Sequence, residues 1–135
     1  MYRLKTNYLK TVEWLDLLNQ NKIVPGLDRI KKLMKELNNP QNDIKVIVVG
    51  GTNAKGSTCF NLNYNLSETG FKVGCFTSPH LHSVRERIRI GNDLISVKEF
   101  AEILTKIKSI CTEKRIDITY FEALTAVAYY YFSKI

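Results

Sequence analysis

Apolar residues along the chain follow first a helical and then an alternating or continuous spacing, and each switch marks an element. Tyr8, Leu9, Val12, Leu15 and Leu18 recur at helical intervals and predict an amphipathic helix over residues 8–18. Pro25-Gly26 breaks the chain. Leu27, Ile30, Leu33, Met34 and Leu37 then line one face of a second helix that ends near Asn38-Asn39-Pro40. From Lys45 to Val49 the β-branched residues run without alternation, the pattern of a strand buried on both faces of a parallel sheet. A glycine turn follows, with a helix starting in or just after it and running to about Glu68, where Thr69-Gly70 can end it. Lys72 to Phe76 predicts a second strand, parallel to the first through a right-handed crossover.

The second half is read the same way. Arg87 to Ile90 and Leu94-Ile95 flank Gly91-Asn92-Asp93, which predicts a small hairpin. Ser96-Val97-Lys98-Glu99 fits a capping box for a helix through about Cys111, and Thr119-Tyr120-Phe121-Glu122 fits one for a last helix, Phe121 to Phe132. That last helix is apolar nearly all round, as a helix buried between other elements would be. Little sequence is left to cover it, so it is expected to be bare and to offer a route to self-association. The fold class is α/β: a partial phosphate-loop-type parallel sheet with flanking helices, in a single partial domain spanning residues 1–135.

Composition narrows the classes. With 135 residues, 44% of them hydrophobic, the chain can bury a core and is not of disordered type. No run is long enough to cross a bilayer and no signal-type stretch follows the N-terminus, so no membrane partner and a cytoplasmic location are expected. Cys59, Cys75 and Cys111 form neither a C-x-x-C pair nor an even set, and read as reduced, partly buried thiols. The net charge of +7 attracts anions in general. Lys31, Lys32, Lys35, Lys98, Lys106 and Lys108 are dispersed as on an ordinary solvated surface, so nucleic acid is not the expected partner.

The chemistry concentrates in Gly50-Gly51-Thr52-Asn53-Ala54-Lys55-Gly56-Ser57-Thr58, directly after the apolar strand. Glycines let main-chain N–H groups converge on phosphate oxygens, a lysine adds a mobile charge, and a hydroxyl can ligate Mg²⁺. The strict pattern G-x-x-x-x-G-K-[ST] is not met, because Ala54 precedes Lys55 and Gly56 follows it. Thr77-Ser78-Pro79-His80 falls at the carboxyl end of the second strand, where open α/β sheets bind ligands. Simpler roles stand beside these. Asn53 also suits a left-handed turn, Ser78-Pro79 a plain turn, Thr119 and Glu122 a helix cap, and Arg85 and Arg87 surface pairs with Glu86. His80 and His82 lack the companions of a metal site, but protonated they could hold a phosphate or carboxylate.

Taken together, Pro25-Gly26-Leu27-Asp28-Arg29-Ile30, Gly51 to Thr58, Thr77-Ser78-Pro79-His80-Leu81, Glu86-Arg87-Ile88 and Thr119-Tyr120-Phe121-Glu122 resemble the folylpolyglutamate synthase/dihydrofolate synthase family of the Mur ligase superfamily. The resemblance runs from about residue 8 to the end, and Gly56-Ser57 after the lysine points to the folate branch. It implies the N-terminal segment of the ATP-binding domain of a ligase that joins L-glutamate to the carboxylate of a folate or dihydropteroate through an acyl phosphate, with ATP and Mg²⁺ as cofactors. The C-terminal glutamate-binding domain is then absent from these residues, and the isolated chain is expected to be inactive.

By the same resemblance, Gly51, Thr52, Asn53, Ala54, Lys55, Gly56, Ser57 and Thr58 hold the ATP phosphates, with Lys55 the catalytic cation. Ser57 and Ser78, the latter in a mobile loop, lie near Mg²⁺, and Leu27, Arg29, His80, Arg87 and Thr119 border the pterin side. The motif departs from the family at Val48, Gly50 and Ala54, where histidine, alanine and glycine are usual. Alanine at position 54 costs about 1 to 2 kcal/mol if its φ is positive, and almost nothing if it is helical. Two other readings remain: an inactive phosphate-loop module that pairs with a second polypeptide, and a basic nucleic-acid binder.

Overall fold

The computed structural model describes residues 2–18 and 24–135, and they form two compact units, one of residues up to Ile44 with Val97–Lys134, the other of Lys45–Ser96. The first unit is helical: α1 (Tyr2–Leu17), α2 (Asp28–Glu36), a 3₁₀ turn (Pro40–Asp43), α4 (Val97–Lys114) and α5 (Tyr120–Phe132). The second contains α3 (Lys55–Glu68), β1 (Gly74–Phe76), a 3₁₀ turn (Val84–Arg87), β2 (Ile88–Ile90) and β3 (Asp93–Leu94).

In the helical unit α4 is the central element, packed on α1, α2 and α5. It buries Phe100, Ala101, Ile103, Leu104, Ile107 and Cys111, the stripe expected of a helix with neighbours on several sides. Leu15 of α1 and Leu33 and Met34 of α2 complete this core, and the Tyr8 ring meets Phe100 edge-on at 5.9 Å between centroids. Leu37 is buried too, but Leu27 at the start of the same stripe is exposed. Both helix ends that need a left-handed residue use a non-glycine one. Asn38 (φ 64°) follows α2, where the Asn39 N–H closes onto Met34 O at 2.8 Å, and Arg115 (φ 53°) follows α4, where the Ile116 N–H closes onto Cys111 O at 2.9 Å.

The bare last helix expected from the sequence is not found. In α5 Ala123, Leu124, Ala126, Val127 and Ala128 are all buried, covered by α4, α2, α1 and the 3₁₀ turn at residues 40–43. α4 directly precedes α5, but two of the covering helices, α1 and α2, come from the other end of the chain, so the residues next to α5 in sequence carry no sign of them. The basis offered for self-association through that helix goes with it.

In the second unit α3 starts at Lys55 and ends at Glu68, as the glycine turn and Thr69-Gly70 predict, with Gly70 at φ 89°. The hairpin is also as predicted: β2 and β3 pair with Ile90 opposite Asp93, and Gly91 takes φ 54°. Ile88, Ile95, Val84 and Cys75 are buried in this unit. Asn63 of α3, 2% exposed, donates from Nδ2 to the Gly91 carbonyl at 2.6 Å, which fixes the helix to the hairpin turn.

The α/β class is observed, but the parallel pairing is not. The sheet has the order β1-β2-β3, with both pairings antiparallel, and β1 meets β2 through Cys75 opposite Arg89. Residues 45–49 form no strand, and Val46, Ile47 and Val48 are 52%, 66% and 87% exposed. Among the described residues, backbone groups of 46–49 make no hydrogen bond to other backbone groups. The cause is one of supply. A two-faced strand needs neighbours on both edges, and the β-branched segments after β1 are committed to the hairpin. No helix among the described residues is long and apolar enough to cross a membrane.

Candidate phosphate-binding site

The glycine turn sits where a strand-to-helix turn would place it, at the N-terminus of α3. Residues 50–58 are all exposed. Gly51 takes φ 151°, a conformation that L side chains rarely adopt, and a Cβ there would lie an ordinary 3.6 Å from Asn53 O, so backbone conformation and not space selects glycine. Thr58 N–H makes the first bond of the helix, to Ala54 O at 2.9 Å. The amides of Lys55, Gly56 and Ser57 therefore have no intrahelical acceptor and carry the positive end of the helix dipole. That arrangement favours an anion.

The left-handed residue of this turn is Ala54 (φ 60°, ψ 6°), not Asn53, whose φ is not positive. The methyl group of Ala54 is thus held in a conformation that costs about 1 to 2 kcal/mol for an L-residue. Lys55 folds back over the turn: its Nζ donates to Gly51 O at 2.6 Å and Thr52 O at 3.4 Å. A solvated ammonium on two carbonyls is a reversible contact, and a phosphate offers it stronger, charged acceptors.

Ser78 is exposed at the end of β1, and the loop after it is pinned from one side chain. The Glu86 carboxylate accepts the N–H groups of Leu81 (2.8 Å), His82 (3.0 Å) and Ser83 (2.7 Å), and Ser83 caps the following 3₁₀ turn in a capping box with Glu86. Donation from Leu81, then from Ser83, holds the Glu86 carboxyl below its ordinary range. Such a carboxylate stabilises the loop above its unfolded pKa, near 4.3, and the contribution fades as pH falls through its lower folded value. We expect the protection factors of the Leu81, His82 and Ser83 amides to fall below about pH 4, and Glu86→Gln to lower them at neutral pH; unchanged protection factors in the variant, followed by NMR, would contradict this role.

Arg87 is buried and its Nε donates to His80 Nδ1 at 2.8 Å. Because a guanidinium carries only donors, Nδ1 must be the acceptor and the ring proton sits on Nε2. Arg85 donates from Nε to Ile95 O at 2.8 Å, a structural contact to the end of the hairpin. His80, Arg87, Ser78 and the residues of the glycine turn all belong to the second unit.

Leu27, Arg29 and Thr119 belong to the helical unit. Thr119 caps α5: its Oγ1 accepts the Glu122 N–H at 3.3 Å, while its own N–H goes to Glu122 Oε2 at 2.7 Å. Arg29 reaches the same carboxylate at 3.3 Å and donates to Val24 O at 2.7 Å, tying residue 24 and α2 to the start of α5. Glu122 is thus the organising group here, and its only sequence signal was the capping box. The thiols are structural: burial, then the nearby Glu122, pushes Cys111 up to about 11, and burial raises Cys75. Among the described residues no group of three or more His, Cys, Asp or Glu could hold a metal.

No protein-family model matches the chain. Against known proteins, the chain is 38% identical over 107 residues to the dihydrofolate synthetase of Saccharomyces cerevisiae, covering 79% of this chain and 25% of that protein. Its fold matches folylpolyglutamate synthase from Thermotoga maritima with a TM-score of 0.87 at 35% identity, over 96% of this chain and 31% of that one. It matches bifunctional folylpolyglutamate synthase/dihydrofolate synthase from Yersinia pestis, solved with AMPPNP and a Mn ion, with a TM-score of 0.82 at 32% identity, over 94% and 30% respectively. This chain therefore spans between a quarter and a third of the length of each of these three proteins. Over most of its length the chain is similar, in sequence and in fold alike, to part of the proteins of the folylpolyglutamate synthase/dihydrofolate synthase family.

Proposed function

We propose that this chain forms the phosphate-binding part of an ATP-dependent ligase that adds L-glutamate to the carboxylate of a folate or dihydropteroate, and that on these residues alone it binds nucleotide without ligating. The observation that carries the reading is the turn at residues 51–58, with a glycine at φ 151°, three N–H groups at the head of α3 and Lys55 poised over them. In the reaction the γ-phosphoryl of ATP passes to a substrate carboxylate oxygen, and the glutamate amine then displaces phosphate from the acyl carbon. Lys55 and the α3 amides hold the phosphate oxygens and offset the charge that spreads over them in transfer. Mg²⁺ would supply Lewis-acid neutralisation of the same oxygens, held from the protein side by Ser57 and Ser78. His80, oriented by Arg87, and Leu27, Arg29 and Thr119 are assigned to the folate side by the family resemblance.

Calorimetric titration with Mg-ATP and with adenosine tests the reading: ATP binds and adenosine does not, because the site is a phosphate site. Equal binding of the two, or of neither, would refute it. The left-handed Ala54 adds a graded check. Ala54→Gly relieves about 1 to 2 kcal/mol of strain and gives back about 0.5 to 1 kcal/mol in chain entropy, so thermal stability should rise slightly. ATP affinity should rise severalfold, since the turn reaches its bound shape at lower cost. No gain in affinity would show that Ala54 does not limit nucleotide handling.

A second reading, a phosphate-loop module that acts by pairing with another polypeptide, is favoured by the exposure of Val46, Ile47 and Val48.

A further inference from the structure

In the helical unit, positive charge without a counter-charge gathers at one tyrosine. Lys106 of α4 and Lys134, just past the end of α5, both reach Tyr130. The Lys106 Nζ donates to Tyr130 Oη at 2.9 Å and lies 4.8 Å from the ring centroid, and the Lys134 Nζ lies 4.3 Å from the same centroid. One cation on an aromatic ring is an ordinary surface contact. Two on one ring repel each other, and among the described residues neither is matched by a carboxylate. Lys106 takes this place although Glu102, one turn earlier on α4 and spaced for an ion pair, is not bonded to it. The C-terminal end of α5 carries about half a negative charge, which attracts Lys134 but leaves the group positive. Lys108, over the Trp14 ring at 6.0 Å, adds a further cation on α4.

We propose that Lys106, Lys134 and the Tyr130 hydroxyl form an anion site of their own, for a phosphate dianion that is either free or the end of a small phosphomonoester. Charge selects this ligand first, because a dianion offsets both ammonium groups and a carboxylate only one. The donors select it next. Tyr130 Oη already accepts from Lys106, so its own hydrogen is left to donate beside the two ammonium groups. A tetrahedral phosphate offers acceptors in several directions, whereas those of a carboxylate lie in one plane. Lysines act on phosphate as point charges and need no planar fork. The bond from Lys106, then the charges of Lys106 and Lys134, hold the Tyr130 phenol below its ordinary range against the opposing effect of burial, and a more acidic phenol is a stronger donor. Because Lys106 is already tied to the ring, part of the ordering cost is met before the ligand arrives. A nucleic acid fits less well, since its phosphates carry single charges spaced along a strand and these cations gather on one ring. None of these groups belongs to the turn at residues 51–58, so the site stands or falls without it.

The test is an NMR titration of the 135-residue chain with inorganic phosphate at constant ionic strength, read at the Tyr130 ring and the Lys134 amide. Both should shift saturably, with a Kd of about 1 mM or tighter. The same shifts should persist in Lys55→Ala, which separates them from any binding at the turn. Replacing both lysines, Lys106→Gln with Lys134→Gln, should weaken binding at least about tenfold, the loss of two charge-assisted bonds, and leave melting unchanged because both side chains are exposed. Tyr130→Phe keeps the ring and should weaken binding severalfold. Acetate should bind at least about tenfold more weakly than phosphate, having one charge to place against two. Glycerol 3-phosphate as tight as phosphate identifies a phosphomonoester as the ligand, and weaker binding identifies free phosphate; either outcome supports the site. No saturable shift by about 20 mM, equal shifts with sodium chloride or acetate, or shifts that survive the double substitution would overturn it. So would a short oligonucleotide that shifts the same residues at lower phosphate concentration with a steep dependence on salt, which would make the patch a nucleic-acid surface.

Discussion

Lys55→Ala should weaken ATP binding about thirtyfold and leave the stability of the fold essentially unchanged. The ammonium contributes a charge-assisted hydrogen bond to phosphate, of the class that costs about 2 kcal/mol to lose, which corresponds to that ratio. Its contacts without ligand are to the Gly51 and Thr52 carbonyls in an exposed turn. Water replaces the ammonium there, so unfolding should not register the loss. The pairing of results is what discriminates. A structural lysine would lower the melting temperature together with affinity, whereas a phosphate ligand lowers affinity alone. Lys55→Arg should restore little of it, because a planar fork cannot sit over the tight turn as a compact ammonium does. Titration calorimetry with thermal melts of the same samples decides. Unaltered affinity in Lys55→Ala would remove Lys55 from the site.

The largest effect on stability should come from Phe100→Ala, at about 3 to 5 kcal/mol. Phe100 is fully buried on the central helix of its unit, and its ring is the partner of Tyr8. Among the described side chains of α1, Leu9 and Leu17 are exposed and Leu15 is the one fully buried apolar side chain, so the Tyr8–Phe100 contact is a main part of its seating on α4. Truncation removes the transfer energy of the ring and leaves a cavity in a close-packed core. Domains of this size have about 5 to 15 kcal/mol in total, so the variant should be partly unfolded at 37 °C. Phe100→Leu, which fills most of the volume, should retain a cooperative urea transition. Equal midpoints for Phe100→Ala and the parent would mean that α1 is held by other contacts.

Local chemistry was legible in the sequence, and long-range supply was not. The stripe of Leu33, Met34 and Leu37, the stop at Thr69-Gly70, the Gly91 hairpin and the Thr119/Glu122 box each depend on residues within one or two turns, and each was readable. The strand reading of residues 45–49 got the composition right and the pairing wrong, because β-branching shows that a segment prefers a sheet but not that partners are present. The reading of α5 failed for a related reason: α4 beside it in sequence covers only part of it, and the rest of its cover, α1 and α2, is about a hundred residues away in sequence. In the turn, Asn53 was the plausible left-handed residue by type, yet Ala54 occupies that position, where the sequence alone left its φ open. Glu86 was visible only as a pairing partner for arginines, and its work on three backbone amides needed coordinates.

The bond from Asn63 to the hairpin makes the phosphate turn answer to a distant loop. Lys55 begins the helix and Asn63 lies two turns further along it, about 12 Å at the usual rise. A helix is stiff along its axis, so the Gly91 carbonyl acts as a stop that gauges how far the head of α3 projects. Lengthening the hairpin turn by one residue would move that stop and shift the three amides at the far end, although nothing near them had been altered. Insertions in the turn at residues 91–92 are thus a mechanical means of retuning the site from a distance.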